Sequence, residues 1–184
     1  MSEGRPWYRE PESFIALAAL VVSVSAVVVG IYEASLQRAH DRAEVWPHVE
    51  AGAFTTPTDA TIYLENTGVG PAVINSIVVS VDSQPRQNWE GVMAALLGKA
   101  APEHFSRSTA FDHSLRAGDK VVMVDLPVAG LPPSFWNYIK RVGVTICYAS
   151  VFGEHWKLDV QLGTTKSEWR AVSACPAQSD SANF

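Results

Sequence analysis

The sequence predicts a single N-terminal transmembrane α-helix followed by a mainly-β domain, and three observations support this fold class. Residues 14–32 form an apolar run of nineteen residues without a charge. Beyond residue 46, short segments alternate apolar and polar residues, which is typical of strands with one buried face. Turn-forming residues such as Gly, Pro, Asn and Asp separate these segments. The 184 residues therefore divide into an N-terminal tail (1–13), a transmembrane helix (14–32), a helical stalk (33–46), a β domain (47–163) and a C-terminal tail (164–184).

The apolar run has the length of a membrane span. At about 1.5 Å per residue it extends roughly 28 Å, close to the thickness of the hydrocarbon core of a bilayer. A cleaved signal peptide has a shorter apolar stretch and a small-residue cleavage site, which Ala34 and Ser35 do not clearly provide. A buried core helix would carry polar residues at helical spacing. We therefore interpret residues 14–32 as an uncleaved helix whose partner is the lipid bilayer.

The residues that flank this helix carry similar positive charge on the two sides. Arg5 and Arg9 precede it, and Arg38 and Arg42 follow it. Because Lys and Arg near a span set its orientation, the α-amino group tips the balance toward an inside N-terminus and an outside domain. The stalk contains neither Gly nor Pro before Pro47, so we expect the helix to continue and to end just before that proline.

The sequence of the β domain predicts an antiparallel immunoglobulin-like sandwich of seven strands with two short helices. The number and length of the alternating segments are typical of that architecture. The helices are predicted at Asn88–Leu97 and Pro133–Lys140, the second with proline in its first turn. The strands are predicted at His48–Thr55, Ala60–Asn66, Ala72–Asp82, Thr109–Leu115, Lys120–Leu126, Val142–Val151 and Trp156–Leu162.

One turn has a distinctive composition. Asn66 can cap it through its side chain, Gly68 and Gly70 allow a close or unusual backbone, and Pro71 stands at the entry of the next strand. A turn of this kind can also hold a ligand, since loops often carry function. We favour the structural interpretation.

Cys147 and Cys175 are the two cysteines of the chain. Cys147 lies on the strand face opposite Val144 and Ile146, so it points to the outer side of the sandwich, where the tail with Cys175 can cross. A disulfide would pin that tail and requires an oxidising compartment. Two unrelated thiols in a cytoplasmic domain remain the alternative.

The segment Gln84–Ser108 is long for a connection between strands. Its predicted helix carries an apolar stripe that is a possible partner surface, because long loops in compact domains are often functional. The alternative, which the helical spacing favours, is that the stripe covers one open end of the sandwich. The stripe consists of Trp89, Val92, Met93 and Leu96.

No motif commits the chain to a reaction, so we expect no enzyme, no catalytic residue, no cofactor and no metal site. The five histidines lack the spacing of metal ligands, and no nucleophile elbow is present. From residue 46 onward the chain has ten Lys and Arg against thirteen Asp and Glu, without a basic stripe. Nucleic acid is therefore not an expected partner.

Several short blocks resemble a family of uncharacterised bacterial single-pass membrane proteins with a small immunoglobulin-like β domain. The blocks are Tyr32-Glu33-Ala34, Gln37-Arg38, Val45-Trp46-Pro47, Asn66-x-Gly68-x-Gly70-Pro71-Ala72 and Tyr148-x-Ser150-Val151-Phe152-Gly153-Glu154-x-Trp156. The resemblance implies a bacterial protein and therefore an inner (plasma) membrane anchor, while the charge balance around the helix favours a domain on the periplasmic or extracellular side. The family has no assigned activity, so it implies no catalytic residue.

These observations predict a membrane-anchored, non-enzymatic binding or scaffolding module that acts on a protein partner through its β domain. The anchor raises the local concentration of the module, so weak affinity is sufficient. The alternative is a membrane effector whose helices assemble and perturb the bilayer when the domain is engaged. Small residues of the helix offer a surface for such a homo-oligomer: Ala19, Ser23, Ser25, Ala26 and Gly30.

Overall fold

A computed structural model describes residues 11–98, 105–132, 134–179, 182 and 184. Most of the predicted N-terminal tail, part of the Gln84–Ser108 segment and Pro133 lie outside these residues. The chain divides between Ala43 and Glu44 into two compact units.

The first unit is built on one long helix. Helix α1 spans Pro11–Glu44, which is 34 residues. None of its residues is buried, and its most apolar window has a mean hydropathy of 2.8. By length and composition α1 can therefore cross a membrane. It continues without a break through the segment predicted as a stalk and ends before Pro47, where the backbone leaves the α region.

The second unit is mainly β, with ten strands among the described residues. Two α-helices interrupt the strands: α2 at Trp89–Leu97 and α3 at Phe135–Ile139. A short 3₁₀ turn lies at Val128–Gly130. The strands are β1 Val49–Thr55, β2 Asp59–Asn66, β3 Ala72–Val81, β4 Gln84–Pro85, β5 Ser106–Arg107, β6 Ser114–Leu115, β7 Lys120–Pro127, β8 Val142–Ala149, β9 His155–Gln161 and β10 Ser167–Val172.

The strands form two antiparallel sheets. One sheet has the order β1-β2-β7-β5, and the other has the order β10-β9-β8-β3-β4, with β6 pairing against β3. The two sheets share one apolar core. Ile62 of β2 and Val124 of β7 contribute to it from the first sheet, and Ile77 of β3 and Ile146 of β8 contribute from the second. Each such side chain stabilises the fold by roughly 1.5–3 kcal/mol through its removal from water.

Three of the ten strands, β4, β5 and β10, lie outside the seven predicted segments, and one predicted segment is shortened. The strand predicted at Thr109–Leu115 is wrong for most of its length, because Asp112 adopts a positive φ of 59° and only Ser114–Leu115 pairs with β3. The predicted C-terminal tail contains β10, which pairs with β9 along its whole length. Five of its six residues are exposed, so β10 has no apolar alternation by which the sequence could reveal it.

The two predicted helices are present. Asn88 is the N-cap of α2, and its side-chain oxygen accepts a hydrogen bond from the backbone N–H of Gly91 at 2.8 Å. Gly98 ends this helix in the left-handed conformation. Helix α3 is shorter than the predicted Pro133–Lys140 and begins at Phe135.

Candidate functional site

The turn with the distinctive composition holds the segment through which the chain enters the β domain. Asn66 is fully buried, and its side-chain oxygen accepts hydrogen bonds from the backbone N–H groups of His48 (3.2 Å) and Gly68 (3.1 Å). Its side-chain nitrogen donates to the carbonyl oxygens of Gly70 (2.8 Å) and Leu115 (3.0 Å). An amide has two donors and two acceptor lone pairs, so this side chain is saturated.

The glycines of the turn allow it to lie directly on the entering segment. A Cβ added at Gly68 would overlap the backbone of His48, and one added at Gly70 would overlap the carbonyl of Val45. The backbone N–H of Val69 donates to the carbonyl of Trp46 at 3.0 Å. Pro71 follows at the entry of β3. Protein atoms fill the space beside the turn. Its geometry is that of a structural element that fixes the entering segment in place.

A group of exposed apolar side chains lies at the same end of the β domain. We call the four most exposed of them the entry surface, because the chain enters the domain there from α1. Their exposed fractions are 47% for Trp46, 65% for Val69, 57% for Val151 and 51% for Phe152. Large apolar side chains that are exposed together at one end of a domain are typical of an interaction site.

Strand pairing explains why these residues lie at one end. Val73 near the start of β3 pairs with Ala149 at the end of β8. The turn before β3, which carries Val69, and the hairpin after β8, which carries Val151 and Phe152, therefore leave the sheet side by side. The hairpin is closed by a backbone hydrogen bond of 2.9 Å from Ser150 to Glu154.

Trp46 belongs to a row of rings beside this end. Its ring centroid lies 5.3 Å from that of His48, which in turn stacks on Trp169 at 4.7 Å. The indole N–H of Trp169 donates to the carbonyl of Val49 at 2.9 Å, which fixes the row against β1. About half of the Trp46 side chain is exposed.

Cys147 and Cys175 form a disulfide with Cα atoms 5.6 Å apart. Cys147 lies on β8 between Ser76 of β3 and Lys157 of β9, on the sheet face that points away from the shared core. It is nevertheless only 1% exposed. Three residues beyond Cys175, the side-chain oxygen of Gln178 accepts a hydrogen bond of 2.8 Å from the backbone N–H of Ile77. The cross-link and this hydrogen bond hold the tail on the sheet.

The apolar stripe of α2 is part of the core in this structure. Its four residues, Trp89, Val92, Met93 and Leu96, are between 0% and 3% exposed. As the chain is folded here, the stripe is therefore not an exposed partner surface, and it covers the core as the alternative interpretation expects. Helical periodicity identifies an apolar face but does not reveal what covers it.

Phe184 covers part of this stripe and was not identified from the sequence. It is 1% exposed, and its ring meets the ring of Trp89 edge to face, with centroids 5.4 Å apart. Its backbone oxygen accepts hydrogen bonds from the N–H groups of Ala110 (3.2 Å) and Phe111 (3.4 Å). A single aromatic residue after a polar stretch gives no periodic signal, so only the folded chain reveals this contact.

The charged groups on the outer face of the second sheet form a small network. Asp159 accepts a hydrogen bond of 2.6 Å from the Thr145 hydroxyl and lies 3.2 Å from the Lys157 ammonium and 3.1 Å from the Arg170 guanidinium. Partial burial raises the pKa of the Asp159 carboxyl, but the hydrogen bonds from Thr145 and Lys157 and the charge of Arg170 outweigh it and hold the pKa below its usual value. The Asp159 carboxyl therefore carries a negative charge at neutral pH.

Among residues 11–98, 105–132 and 134–179, no three His, Cys, Asp or Glu side chains are grouped to hold a metal ion. A search against protein-family models gives no match, and a search of curated proteins gives none either.

Proposed function

We propose that the protein is a single-pass, non-enzymatic membrane module that binds or scaffolds a protein partner through its β domain. The observation that carries the proposal is α1. The helix is long enough to span a bilayer and leaves its large apolar side chains more than half exposed. Burial of such side chains in lipid removes them from water at roughly 25 cal/mol per Å². The β domain forms its core from residue 49 onward.

The disulfide supports a location of the domain outside the cytoplasm. Structural disulfides persist in oxidising compartments and are rare where glutathione and thioredoxin keep thiols reduced. We therefore assign the domain to the periplasmic or extracellular side of the membrane. Bacterial origin and the inner membrane are proposed from the sequence resemblance alone.

The architecture we propose for the domain is an immunoglobulin-like sandwich. Two antiparallel sheets that share one core support it, and strands β1, β2, β3, β7, β8 and β9 coincide with six of the seven segments predicted from alternation. The short strands β4, β5 and β6 and the edge strand β10 are additions to that scheme.

The entry surface is the contact region we assign to the partner. Aromatic residues such as Trp46 and Phe152 are enriched in protein interfaces, where they supply large apolar contact area. Because the chain reaches this end of the domain from its anchor, the partner we propose is another protein of the same membrane. Confinement to a shared bilayer raises the effective concentration of the two proteins, so a modest affinity is enough.

Two fusion proteins test whether α1 anchors the chain in the membrane and on which side of the membrane the β domain lies. Alkaline phosphatase and green fluorescent protein are attached separately to the C-terminus, and the chain is expressed in a bacterial host. We expect active phosphatase, a dark fluorescent fusion and recovery with the membrane pellet. A fluorescent fusion would contradict the assigned side, and recovery of the intact chain in the soluble fraction would contradict the anchor.

Site-specific cross-linking tests the entry surface. A photoreactive residue replaces Val151 in one variant and Val78, an exposed valine on the outer face of β3, in the control. We expect a discrete adduct with a membrane protein from Val151 only, and Phe152→Asp should abolish it. Equal adducts from both positions, or an adduct insensitive to Phe152→Asp, would contradict the assignment.

The alternative membrane effector gains no support from the polar groups of α1. The Ser23 hydroxyl donates to the carbonyl of Ala19 at 2.8 Å, and the Ser25 hydroxyl donates to that of Val21 at 2.8 Å. Both hydroxyls are thus satisfied within their own helix. Toxicity on overexpression that disappears when Ala19, Ser23 and Ala26 become Leu would favour the effector, whereas harmless expression would favour the module.

A further inference from the structure

The site that Phe184 occupies combines three features of peptide recognition. It encloses an aromatic ring almost completely, with Trp89 of α2 packed edge to face against it. It presents the backbone N–H groups of two consecutive residues, Ala110 and Phe111, to one backbone oxygen of the occupant. Apolar pockets paired with convergent backbone donors are a recurrent means of capturing a peptide segment.

The site also holds a donor that its present occupant does not use. The indole N–H of Trp89 is buried, and it has no hydrogen-bond partner among the described residues. Buried polar groups in native proteins are nearly always paired, so each exception calls for an explanation. An occupant that places an acceptor beside this indole would satisfy it.

The occupant, Phe184, is tethered to the domain through the disulfide. The disulfide fixes Cys175, and eight residues separate it from Phe184. The intervening residues are rich in Ser, Asp and Asn, which favour turns over regular structure. A short tether gives a segment an effective concentration in the millimolar range. Even a low intrinsic affinity therefore keeps the site filled by the chain itself.

We propose that this pocket, formed by Trp89, Ala110 and Phe111, is a peptide-binding site. It takes a peptide that presents an aromatic side chain together with a backbone acceptor, and Phe184 is its resident, competing occupant. The site shares no residue with the entry surface. Its test does not depend on the membrane partner, so either proposal can fail alone.

The test compares the full chain in detergent with the same chain truncated after Cys175, which keeps the disulfide. The probe is a synthetic peptide of residues 176–184 with an N-terminal fluorescein, and binding is read by fluorescence anisotropy. We expect the truncated chain to bind the peptide at least tenfold more tightly than the intact chain. A peptide with Phe184→Ala should bind at least tenfold more weakly. As a control, Phe54→Ala in the intact chain removes an exposed phenylalanine elsewhere and should change nothing.

Hydrogen exchange of the backbone amides is a second test, and it is informative whatever effect the truncation has on the fold. The amides of Ala110 and Phe111 should exchange slowly in the intact chain, fast in the truncated chain, and slowly again with excess peptide. Failure of the peptide to bind or to restore protection would overturn the proposal. Loss of protection throughout β3 and β8 on truncation would also overturn it, because Phe184 would then be a fixed part of the core.

Discussion

The Asn66 side chain accepts a hydrogen bond from the backbone N–H of His48, eighteen residues earlier in the chain, at 3.2 Å. The same side chain donates to the carbonyl of Leu115, forty-nine residues later. One buried amide therefore joins the entry segment, the turn before β3 and the strand β6. Its four bonds depend on one another, since each partner is held in place by the geometry of the other three.

We predict that Asn66→Asp destabilises the β domain by about 3 kcal/mol. The carboxylate keeps the shape of the amide but replaces a donor with an acceptor that faces two carbonyl oxygens, and buried unsatisfied groups cost about 1–3 kcal/mol each. Denaturant unfolding followed by tryptophan fluorescence measures the change. The matched control is Asn137→Asp at an exposed position of α3, which should stay within about 0.5 kcal/mol of wild type. Equal effects at the two positions would contradict the role of Asn66.

Gly70→Ala should destabilise the domain by about 2–3 kcal/mol. The new Cβ would overlap the carbonyl of Val45, so the entry segment must shift and loosen its hydrogen bonds to the turn. Gly91→Ala makes the same chemical change within α2, where alanine is the better helix former and the nearest atom, Asn88 Oδ1, lies 3.3 Å away. It should leave stability within about 1 kcal/mol of wild type. A Gly70→Ala protein as stable as Gly91→Ala would contradict the close packing.

Much of this fold could be predicted from short-range patterns. An uncharged run of nineteen residues allows few structures other than a long apolar helix, and α1 is that helix. Alternation located β2, β3 and β9 within one or two residues, because each has one face on the core. The range predicted for α2, Asn88–Leu97, differs by one residue from the observed Trp89–Leu97, because helical periodicity is a local signal.

The parts that could not be predicted depend on contacts between distant segments. Strand β10 is an edge strand stabilised by its pairing with β9, so its exposed sequence carries no apolar period. Phe184 is buried only because α2 and Ala110 lie beside the tail in three dimensions. The entry surface brings Val69 and Phe152 to one end through strand register, which a linear pattern does not contain. The candidate sites were therefore the least predictable feature.

Removal of the disulfide should lower the stability of the domain by about 3.5 kcal/mol. Cys147 and Cys175 are 28 residues apart, and in the chain-entropy model closure of a loop of that length restricts the unfolded chain by about this amount. Thermal or denaturant unfolding of Cys147→Ala/Cys175→Ala measures the loss. Wild type treated with a reductant should unfold like the double variant. If the reductant lowers the stability of the double variant as well, the effect does not come from this cross-link.

The ion pairs of Asp159 predict loss of stability in acid. Because the pKa of its carboxyl is lower in the folded chain than in the unfolded one, its contribution is complete above the unfolded value, about 3.9, and is lost as the pH falls through the folded value. The Asp159 side chain is 32% exposed, so solvent screens its ion pairs and the contribution is small. Unfolding curves at pH 7, 5, 4 and 3 should show a larger loss for wild type than for Asp159→Asn. Parallel losses in the two proteins would contradict the lowered pKa.

Two arginines in the apolar run should release the chain from the membrane. Val24 and Val28 lie four residues apart on one face of α1, and both are more than half exposed. An arginine at the centre of a span costs about 2.5–3.5 kcal/mol on insertion scales, whereas each Leu, Ile, Phe or Val contributes only about −0.3 to −0.6 kcal/mol. Since the run has eleven such residues, Val24→Arg/Val28→Arg cancels their combined contribution. We therefore expect carbonate to extract the double variant from membranes.

The control variant Leu36→Arg/His40→Arg introduces the same pair of arginines beyond the apolar run and should remain resistant to carbonate. Resistance of the Val24→Arg/Val28→Arg protein would contradict a transmembrane role for α1.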